Sequence, residues 1–315
     1  MKTSPPELNQ KRGPKRRLQE GWLTIYMDDM AIHTKPGPNE TERQHRERHW
    51  QKVGKVLSIL QHHNLFLKPE KCTFEQPSID FLGIVVNQGE VRMDESKVAK
   101  VQEWPVPTNV TEVHKFLGFT GYYRYFIKDY LMIACPLLQL TRKTTPWHWE
   151  NAQQQAFQEL KDKMCSKPVL HQPDFKKPFF VATDASAYGV GAILSQEGES
   201  DPQKPSSPRK LHPIAYYSAT FTPTERNYDI YDRELLAVYK ALLHWRPYLI
   251  WTPVPFTIHT DHANLLYWKS PRKLNRRTAR WHTELQDYNF QIVQDRKSTR
   301  LNSSHRSLSR MPSSA

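Results

Sequence analysis

The sequence predicts a chain built from α/β and α+β parts, and three observations carry that reading. Residues 179–182 (FFVA) form a bulky run suited to a sheet interior, and the run ends in an acid, Asp184. A second β-rich run, residues 254–260 (VPFTIHT), also ends in an acid, Asp261. Between them, residues 231–249 (YDRELLAVYKALLHWRPYL) repeat their apolar positions at helical spacing around Glu234. Strand, helix and strand in this order predict a mixed sheet with flanking helices.

The first strand is followed by a turn over 186–189, and residues 190–194 resume as a second strand. On a helix of about 100° per residue, Val238, Ala241 and Trp245 fall on the side of Glu234, flanked by Leu235, Ala237 and Leu242, so a charge stands within an apolar stripe. Each acid also has a plain reading. Asp184 could mark where a strand meets water, Glu234 could snorkel from the stripe's margin, and Asp261 could cap a helix beginning near His262. His262 is either a neighbour of a metal site or a residue at a helix start. The three acids together could converge on one sheet edge. Clustered carboxylates repel one another unless a cation lies between them, and Mg²⁺, with Mn²⁺ as the alternative, favours oxygen ligands. Two such ions roughly 3.5–4 Å apart would activate water and stabilise the departing oxygen of a phosphodiester. The chemistry expected is metal-assisted phosphodiester hydrolysis.

Charge and composition agree with a polyanionic partner. Lys and Arg number 45 against 32 Asp and Glu, for a net charge of +13 over 315 residues, and nucleic acid leads over acidic proteins or membrane headgroups. No apolar run approaches the roughly 20 residues of a membrane span, and the basic N-terminus lacks the apolar core of a secretory signal. An intracellular protein, cytoplasmic or nuclear, is expected. Cys72, Cys135 and Cys165 are odd in number and far apart, which predicts no disulfide framework and no zinc site.

Taken in order, residues 1–20 read as a disordered basic arm. Residues 21–34 suit a β-hairpin with Asp28 and Asp29 at its tip. Val53, Val56, Leu57 and Leu60 form a helical stripe, and LFLKPEKCTF (65–74) and DFLGIVV (80–86) are expected as strands. Residues 93–175 read as helical, with Thr108 or Asn109 and Glu112 as a cap and Pro146 as a breaker. Phe116, Phe119, Tyr122, Tyr123, Tyr125 and Phe126, interleaved with Arg124 and Lys128, are expected mainly as core, with base stacking as the alternative. Residues 197–212 read as a surface loop. Lys273, Arg276, Arg277 and Arg280 recur on one helix side as a candidate grip on a phosphate backbone, opposite Leu274, Trp281 and Leu285.

The ordered segments TDASAYGVGAILSQ (183–196), AYYSATFTPTERNYDIYDRELLAVYKAL (215–242), IHTDHANL (258–265) and LNRRTARWHTELQDYNFQIV (274–293) resemble the ribonuclease H domain of Ty3/gypsy-type retrotransposon Pol polyproteins. Tyr26, Met27, Asp28 and Asp29 are similar to the acidic hairpin of the reverse-transcriptase palm. The resemblance implies a partial palm over 21–92, a helical thumb and connection over 93–175, and a ribonuclease H-like domain over 176–294. It implies that Asp184, Glu234 and Asp261 hold Mg²⁺ and that the RNA strand of an RNA–DNA hybrid is cut, leaving a 3′-hydroxyl. For nucleotidyl transfer the same family needs a third carboxylate upstream of Asp28, where only Glu7 and Glu20 stand, so Asp28 and Asp29 are expected to be half of a polymerase site. The family also places a fourth ribonuclease H carboxylate on a last helix. Residues 295–315 instead read as non-native, vector-like sequence, and neither Asp287 nor Asp295 matches that position. The expected protein is a reverse transcriptase/ribonuclease H fragment that binds nucleic acid and associates with other Pol chains. The alternative is a catalytically dead, nucleic-acid-binding remnant, distinguished by hybrid binding without metal binding.

Overall fold

The chain divides into two units, Met1–Gln88 and Gly89–Ala315. The computed structural model describes residues 22–87, 89–198, 210–268 and 276–294. The basic arm, the tail after residue 294, most of the 197–212 loop and Lys273 therefore lie outside the described residues.

In the first unit, β1 (Leu23–Tyr26) pairs antiparallel with β2 (Asp29–Ile32), with Tyr26 opposite Asp29. Met27 turns the chain in a left-handed conformation, φ 50°, as tight hairpins require. Helix α1 (Glu42–His62) opens on a reciprocal cap between Thr41 and Gln44 and buries Val53, Val56 and Leu60, while Leu57 stays 38% exposed at the stripe's edge. Strands β3 (Ile79–Phe81) and β4 (Ile84–Val86) form a second hairpin over Leu82 and Gly83, both at positive φ.

The strand expected over 65–74 does not form. Pro69 has no N–H to give to a ladder and opens a single 3₁₀ turn, Pro69–Lys71, while Phe66 is 88% exposed. The segment is tied to α1 by side chains instead. Arg46 grips Glu75 through Nε (2.6 Å) and Nη2 (2.5 Å), and the Trp50 Nε1–H donates to the same carboxylate.

The second unit begins with β5 (Glu90–Met93), α2 (Glu95–Gln102) and α3 (Val110–Tyr122). Asn109 caps α3 by accepting from the Glu112 N–H (3.0 Å), and Glu112 accepts in turn from the Thr108 N–H (2.8 Å). The helical reading of 93–175 needs two additions besides β5. Helix α4 (Tyr130–Leu140, YLMIACPLLQL) is apolar on nearly every side and shows no stripe in the sequence. After α5 (Asn151–Cys165), strand β6 (Val169–His171) pairs antiparallel with β5. Phe116, Tyr123 and Phe126 are buried and Tyr122 is 52% exposed, so the aromatic cluster is mainly core.

The functional sheet has the order β11-β10-β7-β8-β9. Strands β7 (Phe179–Ala185), β8 (Gly189–Glu197) and β9 (Leu211–Thr220) run antiparallel, whereas β10 (Phe256–Thr260) lies parallel to both β7 and β11 (Phe290–Gln294). Phe179 and Val181 of β7 face a core with Leu194, Phe256 and Ile258, and α6 (Ile230–His244) adds Leu235, Val238 and Ala241. Helix α6 packs on β7 and β8, and α4 packs on β8 and β9. Gly189 starts β8 because β9 leaves no room for a side chain there. A Cβ would lie 2.4 Å from the Ala219 carbonyl oxygen, a backbone atom that cannot turn aside. Gly189→Ala is expected to lower unfolding free energy by about 2 kcal/mol, the usual range for overpacking. Urea denaturation measures this, and an unchanged midpoint would contradict the close approach.

Candidate metal centre

Asp184 leaves β7 on the face opposite Phe179, Val181 and Thr183, because side chains alternate along a strand. Its neighbour across the ladder is Gly191. Asp261 directly follows β10, which pairs with β7 through Thr257, Ile258 and His259. Glu234 sits one turn into α6, whose N-terminus Asp229 caps by accepting from the Asp232 N–H. One ligand oxygen from each of Asp184, Glu234 and Asp261 lies within 4.8 Å of those of the other two. The three acids singled out in the sequence therefore meet at one sheet edge.

The surroundings decide between the readings left open by the sequence. Glu234 is 6% exposed, so it does not snorkel, and its Oε2 is buried with no hydrogen-bond partner. Burial, then the charges of Asp261 and Asp184, push its carboxyl up to about 8, against the opposing pull of Arg233 and the Ala185 N–H. Asp184 is open at its surface. Partial burial of the carboxyl nevertheless pushes it upward, and Asp261 and Asp129 push in the same direction. Asp261 is no helix cap: the short 3₁₀ helix Ala263–Tyr267 has His262 at its N-cap position, with no side-chain cap bond. The His262 Nε2 is buried without a partner. The donor set is all oxygen, and a buried, unpartnered carboxylate oxygen faces two further acids. These residues fit a hard divalent cation, which would supply the missing positive charge.

The basic ridge is divided by the structure. On helix α7 (Arg276–Leu285), Arg276 and Arg280 are exposed, and Arg280 reaches Glu284 at 3.1 Å. Arg277 turns inward, pairs with the buried Asp232 and lies 3.6 Å over the Tyr228 ring. Its guanidinium is committed to holding α7 against α6. Arg277→Ala strands the Asp232 carboxylate and is expected to cost about 2 kcal/mol of stability, less than for a fully buried pair because the arginine is partly exposed. Chemical denaturation beside Arg280→Ala, expected to be near neutral, checks it. Asp28 lies exposed in the β1–β2 turn and Asp29, also exposed, begins β2. Among the described residues, neither joins a group of three possible ligands.

Residues 174–288, which span all three acids, match the family described as the RNase H-like domain found in reverse transcriptase. By this match the stretch is RNase H-like. The RNase H-like domain stands in a chain related to retrotransposon polyproteins of the Ty3/gypsy type. The Transposon Tf2-3 polyprotein of Schizosaccharomyces pombe is 37% identical over 276 residues, 87% of this chain, and the Tf2-7 polyprotein of the same organism is 37% identical over 277 residues. The chain spans 19% and 20% of the lengths of those relatives. Among solved structures, the foamy viral protease-reverse transcriptase in complex with RNA/DNA hybrid aligns with a TM-score of 0.65 at 21% identity, over 87% of this chain and 35% of that one. The same protein in complex with dsDNA aligns with a TM-score of 0.66 at 22% identity, over 87% and 54%. The RNase H-like domain and the segments before it thus share the reverse transcriptase/ribonuclease H fold.

Sequence reasoning did not single out Asp129, whose charge bears on Asp184 from outside the RNase H-like domain. No periodicity marks it; its position depends on how α4 packs against β8 and β9.

Proposed function

We propose that the RNase H-like domain hydrolyses the RNA strand of RNA–DNA hybrids with Mg²⁺, Mn²⁺ serving in its place. The observation that carries the reading is the convergence of Asp184, Glu234 and Asp261 around the unpartnered Glu234 oxygen. Three ionised carboxylates this close oppose folding unless a cation offsets them, so the arrangement makes physical sense as a cation site. Bound there, the cation supplies Lewis-acid stabilisation of the attacking water and of the leaving 3′-oxygen. Glu234, anchored on α6, and Asp261, anchored after β10, fix the inner wall, and Asp184 presents the accessible one toward solvent and substrate.

The substrate reading draws on the fold neighbours, one of which was solved with an RNA/DNA hybrid, and on the net charge of +13. Arg276 and Arg280 are the exposed cations of α7 offered to phosphate, with Lys273 extending the row in sequence. Asp28 and Asp29 are read as half of a nucleotidyl-transfer site that needs a third carboxylate. A labelled RNA–DNA hybrid incubated with the full chain and Mg²⁺ tests the function. Cleavage of the RNA strand that stops on chelation supports it, and a folded protein that binds hybrid but leaves it intact with both Mg²⁺ and Mn²⁺ refutes it.

A further inference from the structure

A fourth acid approaches the cluster from the helical segment that precedes the RNase H-like domain. Asp129 stands just before α4 with a left-handed backbone, φ 57° and ψ 30°, which aspartate and asparagine tolerate better than most residues. It occupies the N-cap position, yet its side chain caps nothing. The carboxylate is directed to β8 instead. A Cβ on Gly191 would lie 2.2 Å from Asp129 Oδ1 and 3.4 Å from its Cγ, so the carboxylate rests on a strand position that only glycine leaves open. Gly191 is the ladder partner of Asp184.

Two contacts hold the turn in this place. The Leu131 N–H donates to Ser218 Oγ on β9 at 3.0 Å, and Met132 Sδ accepts from Ser186 Oγ at 3.7 Å. The charge of Asp129 acts on the Asp184 carboxyl, with Lys128 beside it acting in the opposite sense. Independently of Asp129, the Glu234 side chain is 6% exposed and leaves Oε2 unpartnered within the same cluster.

We propose that Asp129 is a fourth acidic group of the divalent-cation site, contributed across the boundary of the RNase H-like domain by the turn before α4. The inference rests on the reading of Asp184, Glu234 and Asp261 as that site. Asp129 acts from the outer side, drawing the cation by charge and accepting hydrogen bonds from water around it. The helical segment and the RNase H-like domain then share one cation site, and affinity depends on both.

Mn²⁺ is the probe, titrated into the full chain with free Mn²⁺ followed by electron paramagnetic resonance. Asp129→Asn keeps the size and the left-handed turn and removes the charge. It is expected to weaken Mn²⁺ binding about tenfold, as outer partners of metal ligands do, without lowering the unfolding temperature of the metal-free protein. Gly191→Ala keeps the aspartate but displaces its carboxylate, and is expected to weaken binding in the same direction, which carries the test should the first variant fold poorly. Mn²⁺ affinity within twofold of the parent in both variants, with Asp184→Asn abolishing binding, overturns the role of Asp129 and leaves the three-acid reading standing. A folded parent chain that binds no Mn²⁺ overturns both.

Discussion

Asp184→Asn is expected to lower Mg²⁺-dependent cleavage of an RNA–DNA hybrid by about 10³-fold, equivalent to about 4 kcal/mol of transition-state stabilisation. The substitution removes one of three ligand carboxylates while keeping the shape of the side chain. Its effect on folding is small, because Asp184 is exposed and the inward residues of β7, Phe179 and Val181, are untouched. Hybrid binding through exposed arginines should persist with its usual steep salt dependence. A single-turnover assay at saturating protein separates the two effects. Cleavage within tenfold of the parent would sink the assignment of Asp184 as a ligand and, with it, the proposed reaction.

Glu234→Gln is expected to stabilise the metal-free protein at pH 8 by about 3 to 5 kcal/mol. The sign follows from proton uptake. The folded carboxyl keeps its proton up to about pH 8, whereas the unfolded one loses it near the ordinary value of 4.5. Between these limits the folded state binds more protons, so stability is fully present below about pH 4.5 and is lost as pH rises toward 8. Glutamine is neutral throughout and removes this loss, while the weaker upward shift of Asp184 leaves a residual slope. Urea denaturation in chelator at pH 5 and pH 8 measures the difference. Adding Mg²⁺ at pH 8 should recover most of the loss in the parent and little in the variant. Parallel pH dependences for the two proteins would show that Glu234 is not held in a water-poor acidic site.

Asp184 and Asp261 were legible in the sequence because a carboxylate ending a β-rich run breaks a local pattern, and Glu234 because a charge interrupts a helical stripe. The hairpin at Asp28 and Asp29 and the cap at Asn109 were legible for the same reason, since turn chemistry and capping act over a few residues. The segment 65–74 misled because its β-favouring residues end against Pro69 and Glu75, and a strand needs a partner that local pattern does not supply. Helix α4 was passed over because its apolar residues surround it, leaving no period to detect. Arg277 appeared as one cation of a solvent-facing row because spacing places a side chain on a helix face but does not say what the facing helix carries; here that is Asp232.

The mixed α/β character, the basic charge that favours a polyanionic partner, the three candidate ligands and the family they resemble can all be read from local sequence. Each depends on residue type or on spacing within one element. Tertiary structure alone decided that the three carboxylates share one site, that Glu234 holds an oxygen without a partner, and that Asp129 rests against Gly191 beside Asp184. These facts arise between elements far apart in the chain. Desolvation and the approach of like charges depend on packing distances, and the sheet order that brings β7, β8 and β10 side by side sets those distances.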